Sequence, residues 1–215
     1  MLKQSFLAVL ASGLIVGSFS VAIPESYGAA SSTVTHILGT VQVRTRAGWR
    51  NTGSGHRLWP GMTLRTGRSS RTQLKYDDGS VVRLGSNSVM RIRPARNLRL
   101  LKGKTWIKKQ KNNQKLRVRT PIAHATVLGT ELFVSHNDKN ISHVTTLTGE
   151  VQVETEKGEK TMVTAGNWVE IEPDKPLETP TTFDWNMLKK QERLLLDLDF
   201  VPTPEDSGEA DENWM

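Results

Sequence analysis

Between Val41 and Glu154 short segments alternate apolar and polar residues with period two, and turn dipeptides separate them. Val41 and Val43 oppose Gln42 and Arg44, and Met90 and Ile92 oppose Arg91 and Arg93. Leu116 and Val118 oppose Arg117 and Arg119, and Val151 and Val153 oppose Gln152 and Glu154. Successive side chains of a strand point to opposite faces, so each segment has one apolar face that it must bury. Asp78-Gly79, Ser86-Asn87, Lys102-Gly103, Asn112-Asn113, Thr148-Gly149 and Lys157-Gly158 are dipeptides that tight turns favour. No helical period of useful length falls between Ser31 and Glu178. The pattern predicts an all-β body of antiparallel sheets, a sandwich or jelly roll, with a short β-helix as the alternative.

The body repeats itself. Gly39-Thr40-Val41-Gln42-Val43-Arg44-Thr45 matches Gly149-Glu150-Val151-Gln152-Val153-Glu154-Thr155 at five of seven positions, 110 residues apart. Gly103-Lys104-Thr105-Trp106-Ile107 is a weaker third copy. In each copy a glycine leads into a strand, which is too irregular for a solenoid. Beyond Pro180, Asp184 is placed to cap a helix whose apolar stripe is Trp185, Leu188, Leu195 and Leu198. The expected divisions are a leader over 1–30, a β domain over 31–178, one helix within 179–200, and an acidic disordered tail over 201–215.

Charge is distributed as unevenly as structure. Residues 31–135 hold 21 Lys+Arg against Asp77, Asp78 and Glu131 alone, whereas residues 136–200 hold 7 basic and 13 acidic side chains. The tail from Val201 to Met215 adds five acids and no base. Such asymmetry points to an anionic partner for the basic part, or to packing of one part on the other. The leader selects the compartment. Met1-Leu2-Lys3 precedes an uncharged run from Phe6 to Ile23, and Gly28-Ala29-Ala30 ends in the small residues a signal peptidase reads. Cleavage after Ala30 is expected, with an uncleaved membrane anchor as the alternative. Either way the body is expected outside the cytoplasm, periplasmic or associated with the envelope. That sets nucleic acid aside, and leaves membrane contact only through an uncleaved leader.

Chemistry-bearing constellations are sparse. With zero Cys the chain has no disulfide, no thiolate metal site and no cysteine nucleophile. His136, Asp138 and His143 lie close in sequence but lack zinc-site spacing. Asp77-Asp78-Gly79 lacks the rest of a calcium loop and reads as a hairpin turn. No serine occupies a nucleophile elbow. No catalytic, metal or cofactor residue is therefore assigned. The pronounced feature is basic: Arg91, Arg93, Arg96, Arg99, Lys102, Arg117 and Arg119 are assigned as the partner-binding set. If Met90, Ile92, Leu116 and Val118 point inward, Arg91, Arg93, Arg117 and Arg119 must point out, where guanidinium groups can hold phosphates or carboxylates.

The order Gly39-x-Val-x-Val, Trp49, Leu58, Gly61, Leu64-Arg65-Thr66, Asp78-Gly79-Ser80 and Leu84 resembles the opening of the FecR domain. Gly103, Thr120-Pro121-x-Ala123, Val127-x-Gly129-Thr130-x-x-Phe133-Val134, Gly149-x-Val-x-Val and Ala165-Gly166 continue the resemblance, which covers roughly residues 35–172. It implies an all-β extracytoplasmic domain used for interaction, without enzymatic activity. The family's regulators carry a cytoplasmic helical region and a membrane helix before this domain. Only the short leader precedes it here, so the sigma-regulating half is not carried over. The combined expectation is a non-enzymatic binding or scaffold domain of the envelope, with an envelope protein or acidic envelope polymer as partner. The alternative is an accessory in cell-surface signalling that relays transporter or envelope state to a separate membrane regulator.

Overall fold

A computed structural model describes residues 32–197. The leader and the acidic tail, as assigned above, lie outside the described residues. The first eight strands are β1 (Ser32–Leu38), β2 (Val41–Thr45), β3 (Gly48–Asn51), β4 (Arg57–Leu58), β5 (Thr63–Thr66), β6 (Arg71–Tyr76), β7 (Val81–Leu84) and β8 (Val89–Arg93). A long ninth strand, β9 (Asn97–Lys108), follows. Then come β10 (Leu116–Arg119), β11 (Ala123–Val127), β12 (Glu131–His136), β13 (Ser142–Thr148), β14 (Glu150–Thr155), β15 (Lys160–Thr164), β16 (Asn167–Ile171) and the short β17 (Thr181–Thr182). Two helical pieces, α1 (Trp185–Gln191) and α2 (Arg193–Leu196), end the described chain.

The strands pair into two sheets that share β9. The first sheet runs β4-β1-β6-β7-β9-β12-β13-β16-β17. The second runs β3-β2-β5-β8-β9-β10-β11-β14-β15. Residues 97–102 of β9 pair in the second sheet and residues 103–108 in the first. The inward residues of both sheets form one core, from Val34, Leu74, Ile107 and Val144 on one side to Val43, Leu64, Leu98 and Val153 on the other. The sandwich is therefore observed, and the β-helix is set aside because its neighbouring strands would run parallel. Against the expectation of wholly antiparallel sheets, β9 and β10 run parallel, Asn97 to Arg99 beside Arg117 to Arg119. The chain reaches β10 through a loop that returns it to the start of β9, which a hairpin could not do.

The repeated glycine entries are the corners where the chain changes sheets. Gly39 carries it from β1 to β2, Gly149 from β13 to β14, and Gly103 turns β9 itself from one sheet into the other. At Gly103 φ is +90°, and a Cβ there would stand 2.1 Å from Ser88 Oγ. Ser88 needs that closeness: its Oγ accepts from Lys104 N at 2.9 Å and donates to Ser86 O. Ser70 repeats the device at Gly39, accepting from Thr40 N at 2.9 Å and donating to Arg68 O. Both serines end a Gly-x-x-Ser turn, Gly67 to Ser70 and Gly85 to Ser88, with positive φ at the third residue. This second internal repeat is invisible to an alternation count because it lies in turns.

Asp78 staples three turns together. It accepts from Arg96 at 2.6 Å, from Asn112 Nδ2 at 2.9 Å, from Lys109 Nζ at 3.3 Å and from Ser80 N at 2.9 Å. Lys109 is only 3% exposed, and its ammonium also donates to Gln110 O and Asn112 Oδ1. Burial alone would raise the carboxyl's pKa. The hydrogen bonds from Asn112, Ser80 and Lys109 outweigh burial and hold it well below the ordinary carboxylate range. Asp78-Gly79 is the hairpin turn the sequence indicated, and its acid is a structural anchor.

Candidate functional site

The outer face of the second sheet is built from the alternate positions that the core leaves out. Cross-strand register sets Thr63 of β5, Arg91 of β8, Arg99 of β9, Arg119 of β10 and His124 of β11 in one row. Neighbouring strands lie about 4.8 Å apart, so three guanidinium side chains stand side by side. Arg93, Asn97 and Arg117 form a second row beside them. Arg91, Arg93, Arg99, Arg117 and Arg119 are all exposed. Among the described residues none of the five makes an ion pair or a side-chain hydrogen bond. Like charges directly opposite each other are destabilising in a sheet, so the arrangement costs stability unless an anion relieves it.

The row ends differently at its two sides. Toward β3 it continues through Arg44 to Trp49, whose ring lies under Arg65 at 4.2 Å. Toward β15 it meets Glu154, which receives His124 at 3.3 Å and Lys160 at 3.6 Å. Two members of the sequence-assigned set stand elsewhere. Arg96 sits in the β8–β9 turn at φ +55°, and its guanidinium is committed to Asp78. Arg96 follows Pro94, where the alternation has already stopped, so strand parity does not place it on the sheet face. Lys102 pairs with Asp138 of the β12–β13 turn.

The outer face of the first sheet carries a second candidate, which the sequence did not disclose. One row there reads Arg83, Trp106, Phe133, Thr145, Trp168, and the next reads Lys104, Ser135, His143, Glu170. Helix α1 stands over these rows, started by Asp184, whose carboxylate accepts from Asn186 N and Met187 N as the sequence led one to expect. The helical stripe is shorter than expected: the helix breaks at Glu192, and Trp185 is 42% exposed. Leu195 packs with Trp106, Phe133 and Leu147. Arg83 donates to the carbonyls of Leu195 and Leu196 at 2.9 and 2.6 Å, closing the end of α2.

Between sheet and helix lies a cleft of about 300 Å³ lined by Phe133, Ser135, His143, Trp168, Phe183 and Gln191, among others. His143 Nε2 donates to Glu170 at 2.7 Å, which leaves Nδ1 to accept from the Ser135 hydroxyl at 3.4 Å. Burial pushes the His143 ring down against the upward pull of Glu170. No sequence motif announces a concave, histidine-lined site, and this cleft is one. Its signal was the pairing of Ser135 with His143, which only register creates. The row lacks a further catalytic part: Ser135 is mid-strand between β9 and β13, so its peptide group belongs to the sheet and frames no oxyanion hole. His136 faces the opposite side of its strand, bonded to Ser142 at 2.9 Å, so it cannot share an ion with His143.

Two sheets joined by one strand, with one outer face charged and the other holding a cleft, define an all-β domain. Residues 62–166 match the model of the family described as FecR protein. Two crystal structures of a candidate anti-sigma factor from Parabacteroides distasonis ATCC 8503, at 1.65 and 2.50 Å resolution, share the fold at TM-score 0.53 and 18% identity. The likeness covers 60% of this chain and 63% and 62% of those chains, under two thirds of their length. No curated protein matches the chain.

Proposed function

We propose that the chain is an exported, non-catalytic binding domain of the cell envelope that engages an anionic partner through the outer face of its second sheet. The observation that carries this reading is the row Arg91, Arg99, Arg119, three exposed guanidiniums in register, none of them paired with an acid among the described residues. Fork-shaped donors at strand spacing suit carboxylates or phosphates repeated along a partner's surface. The partner is an acidic patch of an envelope protein or an acidic envelope polymer. The match to the FecR family supports a role in cell-surface signalling, and the leader from Met1 to Ala30 favours export. The likeness to a candidate anti-sigma factor favours a second reading, in which the domain relays envelope or transporter state to a separate membrane regulator.

The test is binding to isolated envelope fractions over a salt series, for the natural chain and for the variant Arg91→Gln, Arg99→Gln, Arg119→Gln. Three exposed charge contacts of about 0.5–1 kcal/mol each predict a loss of roughly 10- to 100-fold in affinity. Affinity in the natural chain should also fall with salt. Binding indifferent to both salt and the substitutions overturns the reading. A sigma-factor or transporter gene beside this one would strengthen the relay reading.

A further inference from the structure

On the face opposite the arginine row, we propose that the cleft under α1 is a binding site for a neutral sugar ring. Three ring systems, Phe133, Trp168 and Phe183, line it, and such surfaces stack on the apolar face of a ring. Between them stand neutral hydrogen-bonding groups: the hydroxyls of Ser135, Thr145 and Thr182 and the amide of Gln191. Among the described residues Thr145, Thr182 and Gln191 make no side-chain hydrogen bond, and Ser135 makes only its long one to His143. They converge on one space without using one another.

The lining also excludes other ligand classes. Lys104 and Glu192 end the cleft as a pair, and the Asp184 carboxylate that also lines it is taken by the backbone N–H groups of Asn186 and Met187, so each of these charged groups is already engaged. His143 is already engaged, donating to Glu170 and accepting from Ser135. A wholly apolar ligand would cover the hydroxyls and the amide without giving them partners, which disfavours it. What remains is a ligand of one ring's size with an apolar face and several neutral hydroxyl or amide substituents. A volume of about 300 Å³ is at the lower end for ligand sites and leaves no room for a long chain inside. The ring is therefore a free sugar or the end of a glycan.

The experiment is saturation-transfer NMR on the full chain with three probes at millimolar concentration: N-acetylglucosamine, its tetramer, and N-acetyl-leucinamide as an apolar control. Transfer to sugar ring protons is expected. Thr145→Val and Gln191→Ala should each weaken it roughly 3- to 10-fold, with an unchanged backbone spectrum showing that the fold persists. The arginine triple variant should bind sugar normally, which separates this site from the charged face. Equal affinity for monomer and tetramer means a free sugar, and a tenfold preference for the tetramer means a glycan end. Absence of transfer from both sugars overturns the proposal, as does preference for the leucinamide or binding unaltered by both cleft substitutions.

Discussion

The two outer faces of the sandwich are made by the same rule and treated in opposite ways. Each takes the alternate residues that the core does not use. On the first sheet those residues include Trp106 and Phe133, and Leu195 of the C-terminal segment covers them. On the second they are Arg91, Arg99 and Arg119, and among the described residues nothing pairs with them. Covering an aromatic row contributes stability through apolar burial. Aligning guanidiniums costs stability through repulsion. The contrast separates what this domain needs to stay folded from what it holds ready for something else.

Substitutions can break that contrast, and the largest effect should come from the anchor beneath both faces. Asp78→Ala leaves the buried Lys109 ammonium without its acid, and the unfolding free energy should fall by about 3–5 kcal/mol in denaturant titration. The same carboxylate sets an acid limit. Its folded pKa lies below the unfolded value of about 4, so its contribution is complete above that pH and is lost as pH falls further. Asp78→Asn should flatten this part of the stability curve. A comparable loss, about 3 kcal/mol, is expected for Gly103→Ala, where the new methyl meets Ser88. Gly158→Ala meets nothing within 4 Å at φ +85° and should cost only about 1 kcal/mol. Equal effects at the two glycines would show that backbone conformation, and not the corner, decides.

Smaller effects distinguish the faces. Leu195→Ala should cost about 2–3 kcal/mol and raise hydrogen exchange in α1 and α2, while leaving anion binding by the second sheet intact. Burial lowers the pKa of both His136 and His143 below 6.5. Their contribution is therefore constant above pH 6.5 and declines as pH drops through it, because the unfolded rings protonate first. A melting-temperature series for His143→Asn should show the weaker decline. The arginine triple variant should keep or slightly raise stability, by up to about 1 kcal/mol, since it removes like-charge neighbours. Deleting Val201–Met215 should leave the melting temperature unchanged and strengthen anion binding, if five acids compete for the arginine face. Unchanged affinity would exclude that competition.

Strand parity made much of this readable beforehand. Arg91 and Arg93 had to face away from Met90 and Ile92, and Arg117 and Arg119 from Leu116 and Val118, so the exposed side was legible. Asp184 announced its helix by the chemistry of a cap. Parity could not say which strands would be neighbours. That choice, made by sheet-changing corners far apart in sequence, set Arg99 beside Arg119 and Ser135 beside His143. Nor could parity place Arg96, because the turn around it carries two successive positive φ angles, at Ala95 and Arg96, which no alternation foresees. The cleft stayed hidden because its floor and its helix wall meet only through tertiary packing.

Strand β9 belongs to both sheets, and this gives the domain a mechanical property. A partner pulling on Arg99 and a guest held beside Lys104 act on one continuous backbone only a few residues long. Force applied at either face loads that strand along its length, where many ladder bonds must shear together. The amides of residues 97–108 should thus exchange with solvent only on global unfolding, and the two faces should come apart last.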